Sequence, residues 1–179
     1  AKGTWRPQGL QGAHIVDFGL GRDTYKLNIN KYNVLGDWQS GPANTQSLVS
    51  QVGGRTETAY VWAQDSWQIA KDWKAVLGLR WEDWRAEQGR TATATSQLGY
   101  ASRSEAHFSP KAALAYQLAR NTMLKASMGR SVRFPTVGEL YGATSGGALS
   151  FINDPNLKPE KSWTGELSAE QDLGNGLLR

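Results

Sequence analysis

The chain has 179 residues, a formal net charge of +4, 39 % hydrophobic residues, eight tryptophans and no cysteine. The missing cysteine excludes disulfides, thiolate metal sites and cysteine nucleophiles together, and Lys and Arg are scattered along the chain, so there is no basic footprint for nucleic acid. No window approaches the ~18 uninterrupted apolar residues of a transmembrane helix, while a mean hydropathy of −0.53 beside many aromatic rings suits strands wet on one side and ending at an interface.

Period-two alternation, the mark of strands with two unlike faces, recurs along the chain. The first candidate, residues 12–26, sets Val16, Phe18 and Leu20 on one face. In the second, 57–70, Ala59, Val61, Ala63, Trp67 and Ile69 share a face with the misfit Asp65, opposite Tyr60 and Trp62. A carboxylate costs little near a bilayer rim and much at mid-depth, so Asp65 is expected near an interface. The third, 73–82, is the clearest: Trp73, Ala75, Leu77, Leu79 and Trp81 against Lys74, Val76, Gly78, Arg80 and Glu82. Residues 108–118 place Phe108, Ala112, Leu114, Tyr116 and Leu118 opposite Ser109, Lys111 and Gln117; 122–131 place Leu124, Ala126 and Met128 opposite Lys125, Ser127 and Ser131. The last, 163–173, opposes Trp163, Leu167, Ala169 and Leu173 to Thr164, Glu166, Ser168, Glu170 and Asp172.

The connections alternate in length. Residues 70–72, 119–121 and 174–176 read as tight turns, and 27–56, 89–106 and 132–161 as long loops. That alternation, with about six strands near the ~9–11 residues that cross a bilayer at a tilt, predicts an all-β antiparallel transmembrane barrel with short turns at one end. Six strands are too few to close a barrel, so the chain, which stops just after a turn, reads as a segment of a larger one. Lys74, Arg80, Lys111 and Lys125 would then meet Glu82, Glu166 and Glu170 as cross-strand pairs on the wet wall, and Trp67, Trp73, Trp81 and Trp163 would anchor the interfaces.

Two motifs stand at the far end of the fifth strand. Arg133-Phe134-Pro135-Thr136 leads to Glu139-Leu140-Tyr141, and Asn156-Leu157-Lys158-Pro159-Glu160 follows a Gly-rich break. On backbone grounds alone they mark a strand end, because Pro135 and Pro159 remove ladder donors. In order and spacing they resemble the signature of TonB-dependent outer-membrane receptors. Tyr60-Val61-Trp62-Ala63-Gln64-Asp65-Ser66-Trp67, Gly78-Leu79-Arg80-Trp81-Glu82 and Phe108-Ser109-Pro110-Lys111 resemble further strands of that family, and the likeness runs over about 12–176.

The resemblance implies that all 179 residues belong to the barrel domain of a probably 22-stranded barrel in the outer membrane of a Gram-negative bacterium. The plug domain and the rest of the barrel would lie outside the chain. It implies active transport of a scarce nutrient, a ferric siderophore first, with TonB, the protein's own plug, the small ligand and outer-membrane lipid as partners. A passive porin or adhesin barrel and a soluble β-sandwich binding module remain as alternatives. Tyr32, Trp38, Arg133 and Tyr141 are the loop and rim side chains suited to a ligand, offering stacking faces and a planar donor fork. Their residue types are equally ordinary for surface loops. His14 and His107 are isolated, Gly19-Leu20-Gly21 is no phosphate loop, and no catalytic or metal-ligand spacing appears, so neither enzyme nor cofactor is expected.

Overall fold

The computed structural model describes residues 1–9, 11–36, 39, 45–146 and 149–173. Seven strands form one antiparallel meander in the order β1-β2-β3-β4-β6-β7-β10, with β5 added to β4. They are β1 (Lys2–Trp5), β2 (His14–Val34), β3 (Thr45–Ala70), β4 (Trp73–Thr93), β5 (Gln97–Gly99), β6 (Arg103–Ala119), β7 (Thr122–Arg133) and β10 (Glu160–Gln171). A short helix, α1 (Val137–Tyr141), and a separate hairpin, β8 (Ala143–Gly146) with β9 (Leu149–Ile152), lie between β7 and β10. The turns at 71–72 and 120–121 fall at one end of the sheet, as the sequence predicts. The third predicted turn, 174–176, lies outside the described residues.

Every predicted strand is present, but the first three run much farther than expected, and β1 joins the edge of β2. Of the residues expected as loop, 27–34, 45–56, 89–93 and 103–106 are strand, and β4 also continues through 83–88. Alternation announces a strand only where its two faces meet different media. Along 27–34 both faces carry polar groups and the signal fades although the ladder continues; in 83–87 alternation persists with its faces exchanged, Trp84 and Ala86 apolar on the inner face and Asp83, Arg85 and Glu87 polar on the outer one.

The register separates two faces. On one, Val16, Phe18 and Leu20 line up with Val61 and Ala63, then Leu77 and Leu79, then Pro110, Ala112 and Leu114. Leu124, Ala126, Met128 and Leu167 continue the row. These large side chains are exposed, with Leu167 at 86 %. Trp73 stacks on Tyr116 at 4.3 Å near the turn end, and Trp81 stands eight residue steps up the same strand, about 26 Å at ~3.3 Å per residue. At the ~35–45° tilt of such strands this length spans a height of roughly 20 Å, within the ~25 Å apolar band of an outer-membrane barrel. Asp65 lies within this face opposite Leu77, midway between Trp73 and Trp81 and not at the edge where the sequence predicts it; its Oδ2 is 2.7 Å from His14 Nδ1, and the His14 ring stacks on Trp67 at 5.3 Å, so a partner and not an interface accommodates the carboxylate.

The opposite face is polar. Arg80 lies 3.7 Å over the Tyr60 ring and 2.9 Å from Glu82, and Lys125 reaches Glu170 at 2.5 Å across β7 and β10. The predicted cross-strand pairing holds for Lys125 alone. Arg80 pairs two residues along its own strand, and among the described residues no ion pair involves Lys74, Lys111 or Glu166. Farther from the turns this face carries the compact core, where Val52, Trp84 and Ala86 meet Val137, Leu140 and Tyr141 of α1, flanked by Leu27, Tyr100 and Phe134.

Candidate functional site

A five-residue helix is unstable by itself. α1 exists because its ends are capped and its apolar face is buried. Thr136 is the N-cap: the Glu139 backbone N–H donates to its hydroxyl at 3.4 Å, and the Thr136 N–H donates to Glu139 Oε2 at 2.8 Å, a reciprocal capping box. Val137, Leu140 and Tyr141 are almost wholly buried. Burial of an aliphatic side chain of this kind stabilises by about 1.5–3 kcal/mol.

The wall beneath is shaped to receive it. β4 carries an extra residue opposite Gly53–Arg55, and Gln88 there adopts a left-handed φ of 55°. This bulge shifts the facing of β4 by one residue, so Trp84 and Ala86 point to α1 below it and Gly89 points there above it. A methyl group at Gly89 would run into the Tyr141 ring, and one at Gly54 would stand 3.1 Å from Tyr141 and Val137. The two glycines thus form the seat of α1. Tyr141 also stacks on Tyr100 at 4.9 Å, and burial raises its phenol pKa.

A charged clamp closes the site from above. Arg133 donates to Glu160 through Nε at 3.0 Å and Nη2 at 2.8 Å, and through Nη1 to Glu139 at 2.9 Å. Hydrogen bonds from the Thr136 backbone, and then from Arg133, hold the Glu139 carboxyl below its ordinary range against a burial effect of opposite sign; hydrogen bonding to Arg133 does the same for Glu160. Arg103 grips the returning segment, donating to the carbonyls of Pro155 and Leu157, both at 2.9 Å, while lying over Trp84 and pairing with Glu105. Asn153 Nδ2 donates to the Gly138 carbonyl at 2.6 Å, and Pro159 is buried. The two motifs, 133–141 and 156–160, therefore form one structural unit.

The sequence model of the TonB dependent receptor-like β-barrel matches residues 3–179. The chain belongs to that family. No curated protein matches it in sequence. Among solved structures, the copper transporter OprC superimposes with a TM-score of 0.64 at 19 % identity, over 94 % of this chain and 26 % of OprC. The ferric-catecholate import receptor Fiu from K12 E. coli gives 0.60 at 18 % identity, over 98 % of this chain and 28 % of Fiu. The chain thus spans about a quarter of the length of either, and at these identities the likeness is one of fold. The family is one of transport receptors and not of enzymes, and it places the sheet in the outer membrane of a Gram-negative bacterium. The apolar face is then the lipid face and the polar face the lumen wall.

In this receptor segment the three described side chains of the four proposed for ligand binding do not converge. Tyr141 is sealed between β3, β4 and Tyr100. Arg133 is engaged by two carboxylates, and Tyr32 stands exposed on the far part of β2 instead of on a loop. Trp38 lies outside the described residues. The remaining motif residues divide between capping (Thr136, Glu139), core (Pro135, Leu140) and the return turn, where Asn156 N–H donates to Asp154 Oδ1 at 2.8 Å. Gly54, Gly89, Trp84 and Arg103 complete the unit although the sequence singled out none of them. Thr136-Val137-Gly138-Glu139 ahead of Leu140 was the available sign, since Ser/Thr three residues before Glu announces a helix start.

Proposed function

We propose that the intact protein of which these residues are a part imports a scarce metal chelate, in the first place a ferric siderophore, across the outer membrane at the expense of energy delivered by TonB. The observation that carries this reading is the family match over 3–179. A copper transporter and a ferric-catecholate receptor among the structures of the same fold support a metal-bearing cargo. On this reading further strands and a plug domain, encoded outside residues 1–179, complete the barrel. The role of α1 is then mechanical: it fixes the root of the segment between β7 and β10 to the lumen wall, so loops beyond it start from a rigid base.

Growth on single iron or copper sources, in cells with and without TonB and with and without the full-length protein, tests the proposal. A source that supports growth only when both are present is the expected result. Equal uptake without TonB would replace it with a passive pore.

A further inference from the structure

Immediately above the apolar band, the outer surface of β2, β3 and β4 turns cationic. The register sets Leu20, Val61 and Trp81 side by side as the last apolar row. The next rows are Arg22, Ala59 and Asp83; then Thr24, Glu57 and Arg85; then Lys26, Arg55 and Glu87; then Asn28, Gly53 and Arg90. Five cations thus share three carboxylates within three neighbouring strands. The strands are ~4.8 Å apart and the rows ~6.6 Å apart, so the patch is about 10 Å wide and about 20 Å tall, room for a bulky phosphorylated sugar headgroup.

The pairing inside the patch leaves positive charge unspent. Arg22 and Arg55 both bind the one carboxylate of Glu57, the latter at 2.5 Å. Arg55 Nε is buried without an acceptor. Arg90 donates to the neutral Asn28 Oδ1 at 3.1 Å, and Arg85 pairs with Asp83 at 2.9 Å. Arg22 is 61 % exposed in its side chain.

We propose that this patch binds the phosphorylated headgroup of a membrane lipid. Guanidinium forks take phosphate in two-point contacts, and the row of Leu20, Val61 and Trp81 directly beneath gives the acyl chains of the same molecule a surface to lie on. That adjacency selects a lipid over a free phosphate ion. The inference rests on the outer-membrane placement and is independent of the cargo.

The full-length protein, purified in detergent, is titrated with diphosphoryl lipid A and with the same lipid after dephosphorylation, and bound lipid is counted by native mass spectrometry. The phosphorylated form should bind at least about tenfold more tightly, the effect of one charge-assisted contact. R22Q/R55Q should abolish that preference. E57Q, which releases both guanidiniums from their shared carboxylate, should strengthen it, an effect that simple damage to the fold would not produce. Equal binding of the two lipids, a weakening by E57Q, or displacement by inorganic phosphate at the lipid's own concentration would overturn the proposal. A protein that inserts and imports normally while ignoring lipid phosphate refutes this inference alone; one that stays dispersed without detergent refutes the membrane placement too.

Discussion

Arg133 and Glu160 face each other across the β7–β10 ladder, joined by two parallel N–H···O bonds of 3.0 and 2.8 Å. The remaining Arg133 nitrogen reaches Glu139 on α1, so one guanidinium ties a strand start, a strand end and a helix together. Lysine carries the charge but not the fork. Arg133→Lys should therefore speed hydrogen exchange at the α1 amides severalfold while leaving the β3–β4 ladder unchanged. Exchange equal to that of the parent protein would show the fork to be dispensable.

The same clamp sets a pH dependence. The Glu139 and Glu160 carboxyls titrate below their ordinary value of 4.5 in the folded protein. Groups with lowered folded pKa values contribute stability that is complete above the unfolded value and disappears as pH falls through the folded one. Protection of α1 should thus be flat from neutral pH down to the region of 4.5 and decline below it. E139Q/E160Q should remove the decline, and a decline that persists in this double variant would assign it to other groups.

The glycine seat gives a steric test. Gly89→Ala should displace Tyr141 and cost about 1–3 kcal/mol, as overpacking does, and Leu140→Ala should cost about 2–5 kcal/mol through the cavity left behind. Denaturant unfolding of the refolded barrel, followed through tryptophan emission, measures both. If Gly89→Ala unfolds like the parent protein, Tyr141 is not held as described.

The facing of β4 is equally exposed to test. Spin labels at positions 79 and 80 of the full-length protein should report oxygen-accessible lipid and water respectively, because neighbouring residues on a strand point to opposite media. The reverse order would invert every assignment on the sheet.

Asp65 and His14 predict a non-additive pair. His14→Ala leaves a carboxylate in an apolar face without its partner, at a cost of about 1–3 kcal/mol or more. Asp65→Leu in that background should recover most of the loss, and additive effects in the cycle would show that the 2.7 Å contact contributes little.

The membrane-spanning half of this fold was legible because physics writes it into neighbouring residues. Trp73 to Trp81 alternates between two media, so strand, facing and girdle could all be read from one stretch. The upper half was less legible, because 27–34 has polar groups on both sides, the apolar residues of 83–87 change face at Trp84 and Ala86, and which strands pair there is decided by residues on other strands. Asp65 looked misplaced for the same reason: its partner His14 lies 51 residues earlier. Of the site, the motif residues were visible, but their job was not. Seating Tyr141 depends on Gly54 and Gly89, and a glycine in a sequence does not say which ring will occupy the space it leaves.

The bulge at Gln88 makes β4 a strand with two reading frames. Below it, even-numbered residues look into the lumen; above it, odd-numbered ones do. Any comparison of related receptors that keeps a single frame through this strand will pair outward arginines with inward small residues and find no sense in either. Deleting Gln88 would mend the ladder with Gly89 opposite Gly54 and Arg90 still outward opposite Gly53, whereas a regular ladder that kept Gln88 would turn the Arg90 guanidinium inward, onto the place that the Tyr141 ring needs. The extra residue is accommodated by the bulge, which keeps Arg90 outward and the seat of Tyr141 open.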